Sequence, residues 1–121
     1  MEKVGENFYY GIQFSDENGD TILQCPRCGN EQLHHSDLIS YDRSEDDDTV
    51  IETYVAFGPQ IKVAAVPFHK SRNPSNRRDA IAVGFWCEIC GEGDVLELII
   101  EQHKGRTYMK WRERPPELPT T

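Results

Sequence analysis

The chain has no run of about 18 apolar residues, the length that spans a bilayer as a helix. Its first residues, Met1 to Asn7, lack the apolar stretch of a secretory signal. Together these lead us to expect a cytoplasmic protein with no membrane span. The familiar catalytic signatures are missing too: there is no G-x-x-x-x-G-K-[ST] phosphate loop, no G-x-G-x-x-G, no H-E-x-x-H, and no serine in a glycine elbow. His34, His35, His69 and His103 are scattered, and the carboxylates of Glu45 to Asp48 lie in one run rather than facing each other across a cleft. Nothing amounts to an active site, and we expect no enzyme.

Apolar residues are scarce, at 37% of the 121 positions, and mean hydropathy is -0.66. One domain of this size buries only a modest core, so a staple that adds folding free energy is expected. Positive charge is also short. Thirteen Lys and Arg stand against 21 Asp and Glu, a net charge of -8, which disfavours indiscriminate nucleic-acid binding. The signs are segregated, with acid in Asp42, Glu45 to Asp48 and Glu52, and base in Lys104, Arg106, Lys110, Arg112 and Arg114.

Cysteine is rare but not random. All four form two C-x-x-C-G units, Cys25-Pro26-Arg27-Cys28-Gly29 and Cys87-Glu88-Ile89-Cys90-Gly91. Two residues between cysteines let one tight turn aim both sulfurs at a single ion, and the following Gly permits the turn's left-handed backbone. Two such turns supply the four soft donors of a tetrahedral Zn²⁺ site, and iron fits the same geometry. Disulfides would need an oxidising compartment, and a redox motif would stand alone rather than doubled. Cys25, Cys28, Cys87 and Cys90 are therefore the expected ligands of a structural metal. Four thiolates and Zn²⁺ would take the net charge to about -10.

The rest of the chain reads as strands. Asn18-Gly19 is a hairpin signal, and Thr21 to Gln24 leads into the first knuckle. Strand patterns follow at Leu33 to Tyr41, Thr49 to Phe57, Ile61 to Phe68 and Ala80 to Trp86. Val95 to His103 and Arg106 to Arg112 form a hairpin closed by Lys104-Gly105, which pairs His103 with Arg106. That register puts Leu96, Leu98, Ile100, Met109 and Trp111 on a core face. Glu97, Glu101, Arg106, Tyr108, Lys110 and Arg112 fall on the other, which is expected to be solvated and laced with charge pairs. Residues 69–79 form the long irregular segment, basic at Arg72, Arg77 and Arg78. No helix is expected. We predict one all-β domain over 1–114, an antiparallel sheet of about six strands clamped by the four cysteines, with a flexible Pro-rich tail at 115–121.

The doubled knuckle flanked by strands resembles the zinc-ribbon class with rubredoxin-type knuckles. Asn73-Pro74-Ser75, Phe85-Trp86-Cys87-Glu88 and Gln102-His103-Lys104-Gly105 also resemble stretches of small uncharacterised zinc-ribbon proteins of bacteria and phages. The resemblance implies an antiparallel sheet beside a four-cysteine zinc site, in a class that commonly binds nucleic acid or protein. The 58 residues between Cys28 and Cys87 exceed a simple ribbon and imply an elaborated one.

The resulting expectation is a non-enzymatic zinc module that presents Arg72, Arg77 and Arg78 with Lys104, Arg106, Tyr108, Lys110 and Arg112 to nucleic acid or a protein partner. Two other readings compete with it. One is an acidic interaction protein or inhibitor that engages a basic partner, and the other is a metal-dependent enzyme, which four cysteines disfavour. An open sheet also leaves two edges through which copies of the chain could join.

Overall fold

The computed structural model describes residues 3–4, 8–56 and 58–115. Its strands in chain order are β1 (Lys3–Val4), β2 (Phe8–Tyr9), β3 (Phe14–Glu17), β4 (Asp20–Leu23) and β5 (Leu33–Asp42). They continue with β6 (Thr49–Ala56), β7 (Gln60–Pro67), β8 (Ala80–Cys87), β9 (Gly91–His103) and β10 (Arg106–Glu113). One 3-10 turn, Phe68–Lys70, is the only helical element among the described residues, and no helix there is long and apolar enough to cross a membrane.

The protein is all-β. Eight strands form one antiparallel sheet in the order β1-β2-β10-β9-β8-β5-β6-β7, and β3-β4 form a separate hairpin. The six long strands of the sheet, β5 to β10, are those expected from the β-rich runs, and the short β1 and β2 extend one edge. Both tight turns behave as their sequences demand. Asn18 and Gly19 have φ of 51° and 87°, and Lys104 and Gly105 have 52° and 76°, the double left-handed geometry of a type I′ turn. His103 pairs with Arg106, so the hairpin register is the expected one. The remainder of the Pro-rich tail, 116–121, and Phe57 lie outside the described residues.

Strand alternation gives the sheet two faces, each with its own small core. On one face Ile39, Tyr41, Val50, Tyr54, Ala80, Ala82 and Ile99 pack together under Phe68 at the start of the 68–79 segment. On the other, Tyr9, Leu96, Leu98 and Trp111 pack with Cys25, Cys87, Ile12 and Leu23. We call the first the loop face and the second the knuckle face. Met109, expected in the core, is 48% exposed, because the cover over the knuckle face stops before reaching the hairpin tip.

The larger departure concerns the loop face of β9 and β10. It is not a solvated lattice of charge pairs. Glu97 is 1% exposed and Arg112 6%. Arg112 donates to Glu97 Oε1 from Nε and Nη2 at 2.9 and 2.5 Å, and Arg114 Nε donates to Glu97 Oε2 at 2.9 Å. Arg114 then donates through Nη1 and Nη2 to the two oxygens of Asp37 at 2.7 and 2.6 Å, and the Tyr54 hydroxyl donates to Asp37 at 3.2 Å. Two carboxylates and two guanidiniums thus cancel in a network that spans four strands. Gly84 lies beneath it: a Cβ there would sit 2.1 Å from Asp37 Oδ1 and 2.6 Å from Arg114 Nη2. The glycine is there for space, since its φ is not among the left-handed ones.

Segment 71–79 is the roof of this face. The Ser75 hydroxyl, buried, donates to the Gln102 carbonyl at 2.8 Å and accepts from the Arg78 amide at 3.0 Å. Arg112 Nη1 donates to the Arg72 carbonyl at 2.8 Å, and Ser71 Oγ donates to the buried Glu52 at 2.5 Å. The long irregular basic segment is therefore pinned along its length by backbone and hydroxyl contacts.

Candidate metal centre

The sheet itself brings the two knuckles together. Residues 25–32 feed directly into β5, whose Leu33 pairs with Cys87 at the end of β8. The 58 intervening residues make an excursion through the β6-β7 hairpin and the roof segment, then return along β5 as β8. The Glu88 amide donates to the Gln32 carbonyl at 3.1 Å, which locks one knuckle to the stem of the other.

Each knuckle is a tight turn closed by a left-handed glycine. In the first, the Gly29 amide donates to the Cys25 carbonyl at 2.8 Å and the Cys25 amide to the Asn30 carbonyl at 2.8 Å, with Gly29 at φ 79°. In the second, Gly91 adopts φ 99° as β9 begins, paired with Cys87. No other residue type takes those angles without strain.

The four cysteines converge. Their sulfurs all lie within 4.8 Å of one another, with Cys25 and Cys90 at 3.9 Å and Cys28 and Cys87 at 3.5 Å. Four sulfurs about 2.3 Å from a central zinc stand about 3.8 Å apart along the edges of a tetrahedron, so these spacings fit such an ion. A disulfide would need about 2.05 Å. Cys25 and Cys87 are buried in the knuckle-face core, Cys90 is half-buried and Cys28 is exposed, so one side of the site faces solvent.

The local field readies the thiols unequally. Burial pushes the Cys87 thiol up, but the amides of Cys90 and Ile89 and the neighbouring Cys28 and Cys25 outweigh it and bring Cys87 down to about 7. Burial, followed by the charge of Cys25, pushes Cys90 up to about 12, and burial raises Cys25. A set of thiols crowded like this resists losing all its protons until a cation is present to balance them.

Two side-chain contacts brace the knuckles from outside. Arg27 Nη2 lies 3.1 Å from Glu113 of β10, and His34 Nε2 lies 2.6 Å from Glu88 while its ring stacks on Trp86 at 4.3 Å. Comparison with family models, curated proteins and solved structures finds no match.

The basic and aromatic residues singled out from the sequence divide into two groups. Arg112 is buried on Glu97, Lys110 bridges to Glu101 at 2.8 Å beneath the Phe8 ring, and Arg77 binds Glu45 and Asp46 at 2.7 and 3.0 Å. Arg72 is exposed, with its carbonyl taken by Arg112. Arg78, Lys104, Arg106 and Tyr108 are exposed, and Tyr108 meets His103 edge-on at 6.3 Å. A cleft of about 320 Å³ runs beside them, between Pro74 and Asn76 of the roof and Glu101, His103, Tyr108 and Lys110 of the hairpin.

No sequence signal singled out Arg43, a base within the acidic stretch from Asp42 to Glu52. Arg43 is 7% exposed, lies 3.7 Å over the Phe68 ring, and donates to the carbonyls of Asp47 and Asn76 at 2.6 and 2.8 Å. Gly84 and Asp37 were missed as well. No local signal marks them, because their roles arise from strands adjacent only in the sheet.

Proposed function

We propose that this protein is a non-enzymatic binding module whose sheet is closed by a structural Zn²⁺ on Cys25, Cys28, Cys87 and Cys90. The convergence of four sulfurs at tetrahedral spacing carries the reading. Four protein ligands leave no coordination position for water or substrate, which supports a clamp over a catalyst. A cytoplasmic setting, where thiols stay reduced, belongs to the same proposal.

A protein partner is favoured over nucleic acid. Arg112, Lys110 and Arg77 are occupied by carboxylates of the same chain, while the knuckle face leaves a broad apolar area exposed. Arg43 and Arg77 also tie the acidic run to the roof, which weakens the case for an inhibitor that offers that run to a basic partner.

Nucleic acid is the second reading, favoured by the exposed Arg78, Lys104, Arg106 and Tyr108 around the hairpin tip. Metal analysis of the protein purified under reducing conditions should find one zinc per chain, and Co²⁺ exchange should give the absorption of a tetrahedral thiolate site. Anisotropy titration with single-stranded RNA and DNA should show no binding at physiological salt. Salt-sensitive binding that Lys104→Ala with Arg106→Ala weakens would establish the second reading instead. Three sulfurs and an oxygen on the metal would reopen the enzyme reading.

A further inference from the structure

The cover over the knuckle face ends with the core built on Leu98 and Trp111. Beyond it the same face is open. Ile51, Val55, Ile61, Val63, Ile81 and Met109 are all exposed, with Ile61 and Val63 at 71% and 64%. Strand register puts these six on one side of the sheet, across β10, β8, β6 and β7. The positions among them are Ser40, Thr53, Ala65, Val83 and Ile100, and a charge borders the area at Asp42, opposite Ile51. A hollow of about 320 Å³ between Leu38, Val55 and Val83 opens on it. Apolar areas of this breadth on a folded domain mark contact surfaces.

We propose that two copies of this chain pack through this face as a symmetric, face-to-face dimer. The inference rests on the reading of the protein as a protein-binding scaffold and names the partner as a second copy. Among the described residues no segment covers the area.

Six strands about 4.8 Å apart, each contributing about 15 Å of its length, give roughly 400 Å² in projection on each copy. Side chains raise the accessible area above the projection, so a pair buries on the order of 1,000 Å², where specific interfaces begin.

A partner recognised by charge would need complementary groups at the centre of this area, where the positions are uncharged; the carboxylates of Asp42, beside Ile51, and Asp37, at the hollow, stand only at its margins. A pleated, uncharged sheet face needs only to match itself, and two such faces stack about 10 Å apart with side chains interleaved. The hollow beside Leu38 can take an anchoring side chain from the other copy. Each copy carries a net charge of -8, so long-range repulsion opposes the dimer and no ion pair at its centre supports it. Added salt should therefore preserve or tighten the association, opposite to its effect on nucleic-acid binding.

Sedimentation of the full zinc-loaded chain from about 1 to about 100 µM tests the proposal. A reversible monomer–dimer equilibrium is expected, held or strengthened between about 0.1 and 1 M salt. Val63→Glu and Val55→Glu should each weaken it at least about tenfold while zinc content and melting temperature stay at wild-type values, because both side chains are already exposed in the single chain. Lys62→Glu, on the opposite face of the same strand, should leave the equilibrium unchanged. A protein that stays monomeric throughout, or a dimer that Lys62→Glu weakens as much as Val63→Glu, overturns the proposal; the latter would mean pairing along the β7 edge. Full zinc occupancy with a monomer defeats the dimer and leaves the scaffold reading intact, whereas absence of zinc defeats that reading whatever the oligomeric state.

Discussion

Glu97 and Arg112 stand opposite one another across β9 and β10, joined by two hydrogen bonds and almost wholly out of solvent. An exposed pair of this kind contributes a fraction of a kcal/mol, but a buried one is held by what its removal would strand. Glu97 also receives Arg114, and Arg112 also reaches the Arg72 carbonyl, so the pair joins the sheet to its roof.

Glu97→Gln should accordingly destabilise the fold by about 3–5 kcal/mol, since it leaves the buried Arg112 with no carboxylate and Arg114 with Asp37 as its one remaining carboxylate. Equilibrium urea unfolding of the variant, with Arg112→Met and the double variant completing a cycle, measures the coupling. Strictly additive losses would mean the two residues act independently.

Gly84→Ala tests the same network by sterics alone. The new methyl would meet Asp37 Oδ1 and Arg114 Nη2 at 2.1 and 2.6 Å, so the bridge must shift or open. We expect a loss of about 2–4 kcal/mol in urea unfolding, well beyond the small backbone effect of Gly to Ala in a strand. A variant as stable as wild type would show that the network moves aside without cost.

On the proposed reading of a structural zinc, metal removal should be more drastic. A strong chelator, or Cys87→Ser, should abolish cooperative unfolding and collapse the dispersion of amide resonances. Structural zinc binding is worth about 10–16 kcal/mol in small zinc-folded peptides, as large as a domain's whole stability. Cys28→Ser, at the exposed sulfur, should still bind metal with lowered affinity, and competition with a chromophoric chelator measures the ratio.

Glu52 gives stability a pH dependence. Burial raises its pKa above the ordinary 4.5, against the Ser71 hydroxyl and the Arg72 amide, which favour the charged form. The folded state thus holds this proton more tightly than the unfolded chain does. Its contribution to stability is complete below pH 4.5 and declines as pH rises through the elevated value. Glu52→Gln, which keeps an acceptor for Ser71, should remove that decline and raise the melting temperature at neutral pH. An unchanged pH profile would show that Glu52 is not the group responsible.

Ser75→Ala should loosen the roof locally. It removes the bond to Gln102 and leaves the Arg78 amide without its acceptor, a cost of about 1–3 kcal/mol. Hydrogen exchange should accelerate across 71–79 and leave β8 and β9 protected.

Much of the architecture was legible in the residues. The C-x-x-C-G spacing alone determined a pair of knuckles, because only Gly takes the backbone angle found at Gly29 and Gly91. Asn18-Gly19 and Lys104-Gly105 determined two hairpins, and a two-residue turn leaves one register, which put Glu97 opposite Arg112. These are short-range consequences of backbone sterics, and they survive translation from a string of letters.

Burial was not legible, and it decided the rest. Whether Glu97 and Arg112 meet in water or in a core depends on what crosses above them, and that is a segment from 71–79, far away in sequence. The same segment drew Arg43 inside and set Arg77 against the acidic run. Cover also failed to reach Met109, which the hairpin register marks as core, and Val63, and the sheet leaves both open. Alternation tells which side chains share a face, but only the packing of distant segments tells whether that face is dry.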